Sequence, residues 1–156
     1  MNATLVRTLA IVGALAVLAS VNYSIYAKEQ IKQHGEVLYL ELAPVDPRSL
    51  MQGDFMALRF AVARDIAERR QPGEQFVSLQ LDSRRVARLP APGSPGSLRM
   101  HYRMRGHQAW LGTNAYFFEE GSASKYTLAR YGKFRIDPQN GEAVLVALCD
   151  DQLKEL

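Results

Sequence analysis

The chain has 156 residues and a mass of 17.5 kDa, with 47% hydrophobic residues, 22% charged residues and a formal net charge of +3, which leaves room for one domain plus an appendage and excludes intrinsic disorder. A single cysteine, Cys149, excludes an intramolecular disulfide framework, and no Cys/His spacing matches a zinc knuckle or finger. No metal or other cofactor is expected.

Thr8 to Ala27 is an uncharged run of about 20 residues, with Arg7 before it and Lys28, Glu29 and Lys32 after it. At ~1.5 Å per residue a helix of that length reaches ~30 Å, the thickness of the bilayer hydrocarbon. Its most apolar part, Leu9 to Val21, also has the length of a secretory signal, with Val17 and Ala19 as small residues before a cut. An uncleaved anchor is the preferred reading, because no turn-forming stretch precedes Ala19 and the helix-compatible run continues to Lys32. Tyr23 and Tyr26 suit an interfacial aromatic belt. The basic flanks are nearly balanced, so orientation rests on the usual behaviour of a short N-terminal anchor, amino terminus inside and remainder exported to the periplasm. Ala10 with Ala14, and Ala16 with Ser20, are small pairs at i, i+4 that would admit a second transmembrane helix, although an Ala-rich anchor contains such pairs by chance. Asn22 lies where its amide can reach lipid headgroups.

Residues 1–27 are thus an anchor and residues 28–156 an exported domain, large enough to bury its own core. Period-2 apolar sets recur in it: Leu38, Leu40 and Leu42; Met56, Leu58, Phe60 and Val62; Val77, Leu79 and Leu81; Leu98, Met100, Tyr102 and Met104; Phe134 and Ile136; Val144 and Val146. Short strands separated by turn residues predict a mainly β (α+β) domain, an antiparallel sandwich or barrel-like unit with one or two short helices. Turns are expected at Pro44-Val45-Asp46-Pro47, at Gln71-Pro72-Gly73, along Leu89 to Gly96, and at Asp137-Pro138-Gln139-Asn140-Gly141, which closes a hairpin. One helix is expected after Gly121, with Ser122 as N-cap and Gly132 as the left-handed C-cap residue, and a second over Arg64 to Arg70.

Charge is uneven. Arg59 to Arg105 holds ten arginines against Asp65, Glu68, Glu74 and Asp82, whereas Asp137 to Leu156 holds five acids against Lys154. Arg99, His101, Arg103 and Arg105 alternate with an apolar set and would share one face of a strand, as an anionic-ligand surface or simply as the wet side of a sheet. One interleaved aromatic is too few for nucleic-acid binding. Catalysis is not expected: Ser49 has no His or Lys in a motif that would aim at it, His34, His101 and His107 are isolated, and Glu119-Glu120 places one carboxylate on each face. Glu120 is expected to pair with Arg130 or Arg135. Cys149, after the apolar Ala143 to Leu148 run, is expected to be a small buried residue, with an intermolecular disulfide as the alternative.

Gly53-Asp54-Phe55-Met56-Ala57-Leu58-Arg59-Phe60 resembles the signature of the bacterial GDYXXLXY-motif proteins, with phenylalanine at both motif tyrosines. A second block, Trp110 to Gly121 and on through Tyr126 and Ala129-Arg130-Tyr131-Gly132-Lys133-Phe134-Arg135, is also similar to that family. The resemblance implies a membrane-anchored protein working beside a polytopic membrane protein, and it supplies no catalytic residues. Within the motif, Gly53 would end the Asp46-Pro47-Arg48 turn, Asp54 would accept loop amides, and Phe55 and Phe60 would pack on opposite faces of a strand. A binding groove is the alternative, with Arg48, Asp54 and Arg59 at one rim near Glu120, Gly121 and the Arg130-Tyr131-Gly132 segment, whose buried charges could equally be a satisfied network that fixes the loop. Three functions follow in order of preference: a non-catalytic accessory subunit of a polytopic membrane protein, a binding module for an anionic ligand or envelope polymer, and an envelope hydrolase.

Overall fold

The computed structural model describes residues 3–43, 51–52, 55–71 and 73–156. The expected Pro44–Pro47 turn, Ser49, the motif positions Asp46, Arg48, Gly53 and Asp54, and Pro72 of the expected Gln71–Gly73 turn lie outside the described residues.

Helix α1 runs without a break from Ala3 to His34. Its apolar side chains, Leu5 through Tyr26, are 44 to 73% exposed, and none of its most apolar window is buried against the rest of the chain. Polar side chains within it satisfy themselves on the backbone one turn earlier: Thr8 Oγ1 donates to the Thr4 carbonyl (3.0 Å) and Asn22 Nδ2 to the Leu18 carbonyl (2.8 Å). The helix is long and apolar enough to cross a bilayer once.

The remaining strands are β1 (Glu36–Glu41), β2 (Met51–Gln52), β3 (Phe55–Ala57), β4 (Phe76–Leu81), β5 (Ala87–Arg88), β6 (Leu98–His101), β7 (Arg103–Arg105), β8 (Gln108–Trp110), β9 (Ala115–Phe117), β10 (Tyr131–Ile136) and β11 (Ala143–Cys149). They form three small sheets, β1-β10-β11, β2-β3-β9 and β5-β4-β6, and a ribbon β7-β8, each with antiparallel pairing. Isolated bridges tie sheet segments together, Tyr39 with Val86 in parallel and Leu42 with Phe60 antiparallel. The expected antiparallel domain is therefore present. Its inner faces meet in one core built from Leu38, Leu40, Leu58, Phe60, Leu79, Met100, Tyr102, Leu111, Phe134, Ile136 and Leu148.

Four local expectations are corrected. The expected Met56–Val62 strand is shorter: β3 ends at Ala57, Phe60 makes only its isolated bridge to Leu42, and Val62 sits in helix α2, Ala61–Arg69, where Val62 and Ile66 one turn apart are both buried. Val62 satisfies a period of 2 from Phe60 and a period of 4 to Ile66 alike, so alternation alone places the strand end too late. The segment after Gly121 is a 3₁₀ helix, Ala123–Leu128, whose Ser122 makes no side-chain cap bond. Gly132 is not its C-cap but a residue of β10 opposite Leu40 and Leu148. A Cβ there would stand 3.0 Å from the Phe60 ring and 3.1 Å from Leu145 and Phe134, so close packing rather than left-handed backbone calls for glycine. Finally, Val144 and Val146 are not the core-facing pair of β11. Register shifts between Lys133 and Phe134, so that Lys133 faces Ala147 while Phe134 faces Leu145. This bulge leaves Val146 unpaired and changes which alternate residues point inward, giving Leu145 and Leu148 to the core side.

The Asp137–Gly141 hairpin forms as expected. Asp137 Oδ1 accepts from the Gln139 amide (2.9 Å), Asn140 Oδ1 accepts from that of Glu142 (2.8 Å), and Gly141 carries the positive φ of +74°.

Candidate functional site

The two sequence blocks are brought together by strand pairing. Phe55, Met56 and Ala57 on β3 lie opposite Phe117, Tyr116 and Ala115 on β9, and the rings of Phe55 and Phe117 approach to 5.8 Å between centroids. Leu58 is buried and donates its amide to the Asn114 carbonyl (2.6 Å). Phe60 is buried edge-on against Phe134 (5.3 Å), so it packs inward while Phe55 stays half-buried on the other side. Tyr126 stacks on Phe118 (5.0 Å), behind Gly121, which turns the chain at a φ of +81°. Most described motif side chains thus serve packing. Arg59 is the exposed exception: with Leu58 and Phe60 it borders a groove of about 760 Å³ between α2 and β8.

Glu120 is exposed and makes no ion pair with Arg130 or Arg135 among the described residues. Arg135 instead donates Nη1 to the carbonyls of Gln33 (3.3 Å), in the last turn of α1, and of Gly35 (3.0 Å), just beyond it. Arg130 is exposed, and its backbone links the Leu42 amide to the Cys149 carbonyl, both at 2.8 Å. Tyr131 is half-buried in β10, between Glu41 and Cys149.

The arginine stripe is divided between two strands. Tyr102 separates β6 from β7 and sends its amide to the Gln75 carbonyl (2.9 Å). Arg99 lies over the ring of Phe76 (4.3 Å), on which His101 also packs edge-on (5.2 Å). His101, Arg103 and Arg105, but not Arg99, border a second cleft of about 480 Å³ with Lys28 and Trp110. The Arg105 guanidinium sits 4.0 Å above the Trp110 ring. Lys28 of α1 crosses to the domain and pairs with Glu142, which holds that carboxyl below its ordinary value; His101 and Arg103 act in the same direction. Arg103 and Arg105 have no carboxylate within ion-pair reach among the described residues.

Sequence reasoning missed Lys28, Trp110 and Glu142 as members of this cleft. Lys28 was visible as the first charge beyond the apolar run and Trp110 as the only tryptophan, but their proximity depends on how α1 meets the sheet. Among the described residues no group of three or more His, Cys, Asp or Glu is placed to hold a metal.

A small antiparallel domain carried directly on a single apolar helix, with Phe55, Met56 and Ala57 of its sequence signature paired to β9, defines the class. The chain belongs to the GDYXXLXY protein family, whose sequence model matches residues 17–148. No curated protein and no solved structure matches it.

Proposed function

We propose that this protein is a single-pass component of the bacterial inner membrane whose domain lies in the periplasm and acts as a non-catalytic accessory subunit of a polytopic membrane protein. The observation that carries the reading is the absence of a linker between anchor and domain. Helix α1 ends at His34 and β1 begins at Glu36. The single residue between them, Gly35, donates its amide to Ile31 (2.8 Å) and is gripped by Arg135, while Lys28 is tied to Glu142 and Ile31 is buried. A domain meant to search the periplasm gains from a flexible tether. The short, hydrogen-bonded junction here favours instead a partner that lies in or on the membrane. The apolar surface of α1 and its small pairs, Ala10/Ala14 and Ala16/Ser20, are compatible with a neighbouring transmembrane helix.

Affinity purification of the tagged full-length chain in mild detergent tests the reading, with mass spectrometry of what co-purifies. A stoichiometric polytopic protein is expected, and replacing residues 1–27 by an unrelated transmembrane helix should reduce its recovery. Isolation of the full-length chain alone would remove the accessory role.

A further inference from the structure

We propose that the cleft bordered by Lys28, His101, Arg103, Arg105, Trp110 and Asn114 binds the phosphate of an anionic phospholipid headgroup from the leaflet at which α1 leaves the membrane. The inference rests on α1 being a membrane span, and it adds a ligand that the accessory role does not require.

Position is the first argument. Lys28 is the first charged residue after the uncharged Thr8–Ala27 run, so it lies where a spanning helix emerges among headgroups, and the same side chain borders the cleft. The cleft therefore stands beside the bilayer at phosphate level. Charge is the second. Among the described residues, Lys28, Arg103 and Arg105 face a single carboxylate at the cleft, Glu142, which is already engaged by Lys28. Two guanidiniums remain for an anion, and a guanidinium fork matches phosphate oxygens. The third argument is the shape and the nature of the walls. Trp110 holds Arg105 above its ring and offers the amphipathic surface favoured at membrane interfaces, and about 480 Å³ accommodates a phosphate with a small polar head. Arg99 is excluded, since it turns away onto Phe76.

Trp110 is the chain's single tryptophan and so reports on the cleft directly. Full-length protein in neutral detergent micelles is titrated with dihexanoyl phosphatidylglycerol, dihexanoyl phosphatidylcholine and inorganic phosphate while tryptophan emission is followed. A saturable change with phosphatidylglycerol is expected, at least ~10-fold weaker with the other two. Arg103→Gln should weaken it at least ~10-fold and Arg88→Gln, an exposed arginine of β5, should not. Should Arg103→Gln fail to fold by circular dichroism, the wild-type response must vanish at about 0.5 M NaCl, and its persistence there overturns the proposal. Equal responses to both lipids, or a response surviving in folded Arg103→Gln, also overturn it. Inorganic phosphate binding as tightly as phosphatidylglycerol assigns the cleft to a soluble anion and overturns the lipid source. No partner protein is present in this titration, so its outcome is independent of whether the accessory role stands.

Discussion

Cys149 shows how far burial sets the chemistry of one side chain. It is fully buried at the end of β11, and burial first, then the charge of Glu155, pushes its thiol up to about 11. The nucleophilic thiolate is therefore scarce at neutral pH, and access to the sulfur is closed. Labelling by iodoacetamide at pH 8 should be slow in the folded protein and become fast in denaturant, and non-reducing electrophoresis should show a monomer; rapid labelling of the native chain would contradict the packing. The same shift fixes a sign for stability. Between the unfolded value near 9 and about 11 the folded thiol keeps its proton while the unfolded one releases it, so this residue makes stability fall as pH rises through that window. Near neutrality it contributes no pH dependence. Around it, the chain end is secured: Lys133 Nζ meets Glu155 at 2.5 Å, the Leu156 amide reaches the Leu148 carbonyl at 3.0 Å, and Asp150 Oδ1 accepts from Gln152 and Lys154. The acidic tail that stands out in the composition is thus partly spent on closing β11 locally, not on display.

At the scale of elements, the junction of α1 with β1 is where helix, strand and sheet constrain one another most closely. A Cβ on Gly35 would lie 2.5 Å from the Ile31 carbonyl oxygen and 2.9 Å from that of Ile136, both backbone atoms with little freedom to retreat. Gly35→Ala should therefore destabilise the full-length protein by about 1–3 kcal/mol, the usual cost of overpacking, measured as a lower denaturation temperature in detergent. An unchanged transition would mean that α1 is not seated on β10 as described. Gly13, in the exposed part of the same helix, meets nothing within 4 Å and serves as the matched control. The bulge in β11 is a second constraint between elements. By inserting Val146 it lets the strand keep Phe134 against Leu145 at one end and Gly132 against Leu148 at the other, which a regular register would not allow.

For the whole molecule, the decisive feature is that the long apolar helix α1 and the domain are joined without a linker, and the Lys28–Glu142 pair is the adjustable contact between them. The folded Glu142 carboxyl is held below its ordinary value, chiefly by its hydrogen bond to Lys28, so its stabilising contribution is present above the unfolded value of about 4.5 and is lost as pH falls through the lower folded value. Acidification should thus lower the stability of the wild type more steeply than that of Glu142→Gln, while at pH 7 the two should differ by no more than about 1 kcal/mol, because the pair is partly exposed. Parallel acid profiles would show that the contact does not couple anchor to domain. By itself the sequence determined the long apolar N-terminal helix, the β-rich class, the hairpin at Asp137–Gly141 and the burial of Leu38, Leu40, Leu79 and Cys149, because apolar run length, period-2 alternation and turn chemistry are local properties written in neighbouring residues. It did not determine where strand gives way to helix between Ala57 and Val62, why position 132 is glycine, which valines of β11 face outward, or that Lys28, Arg103, Arg105 and Glu142 meet. Those were decided by tertiary structure, since each depends on atoms far apart in the chain: the ring of Phe60 above Gly132, the register of β10 on β11, and the docking of the end of α1 against the Ile136–Glu142 edge.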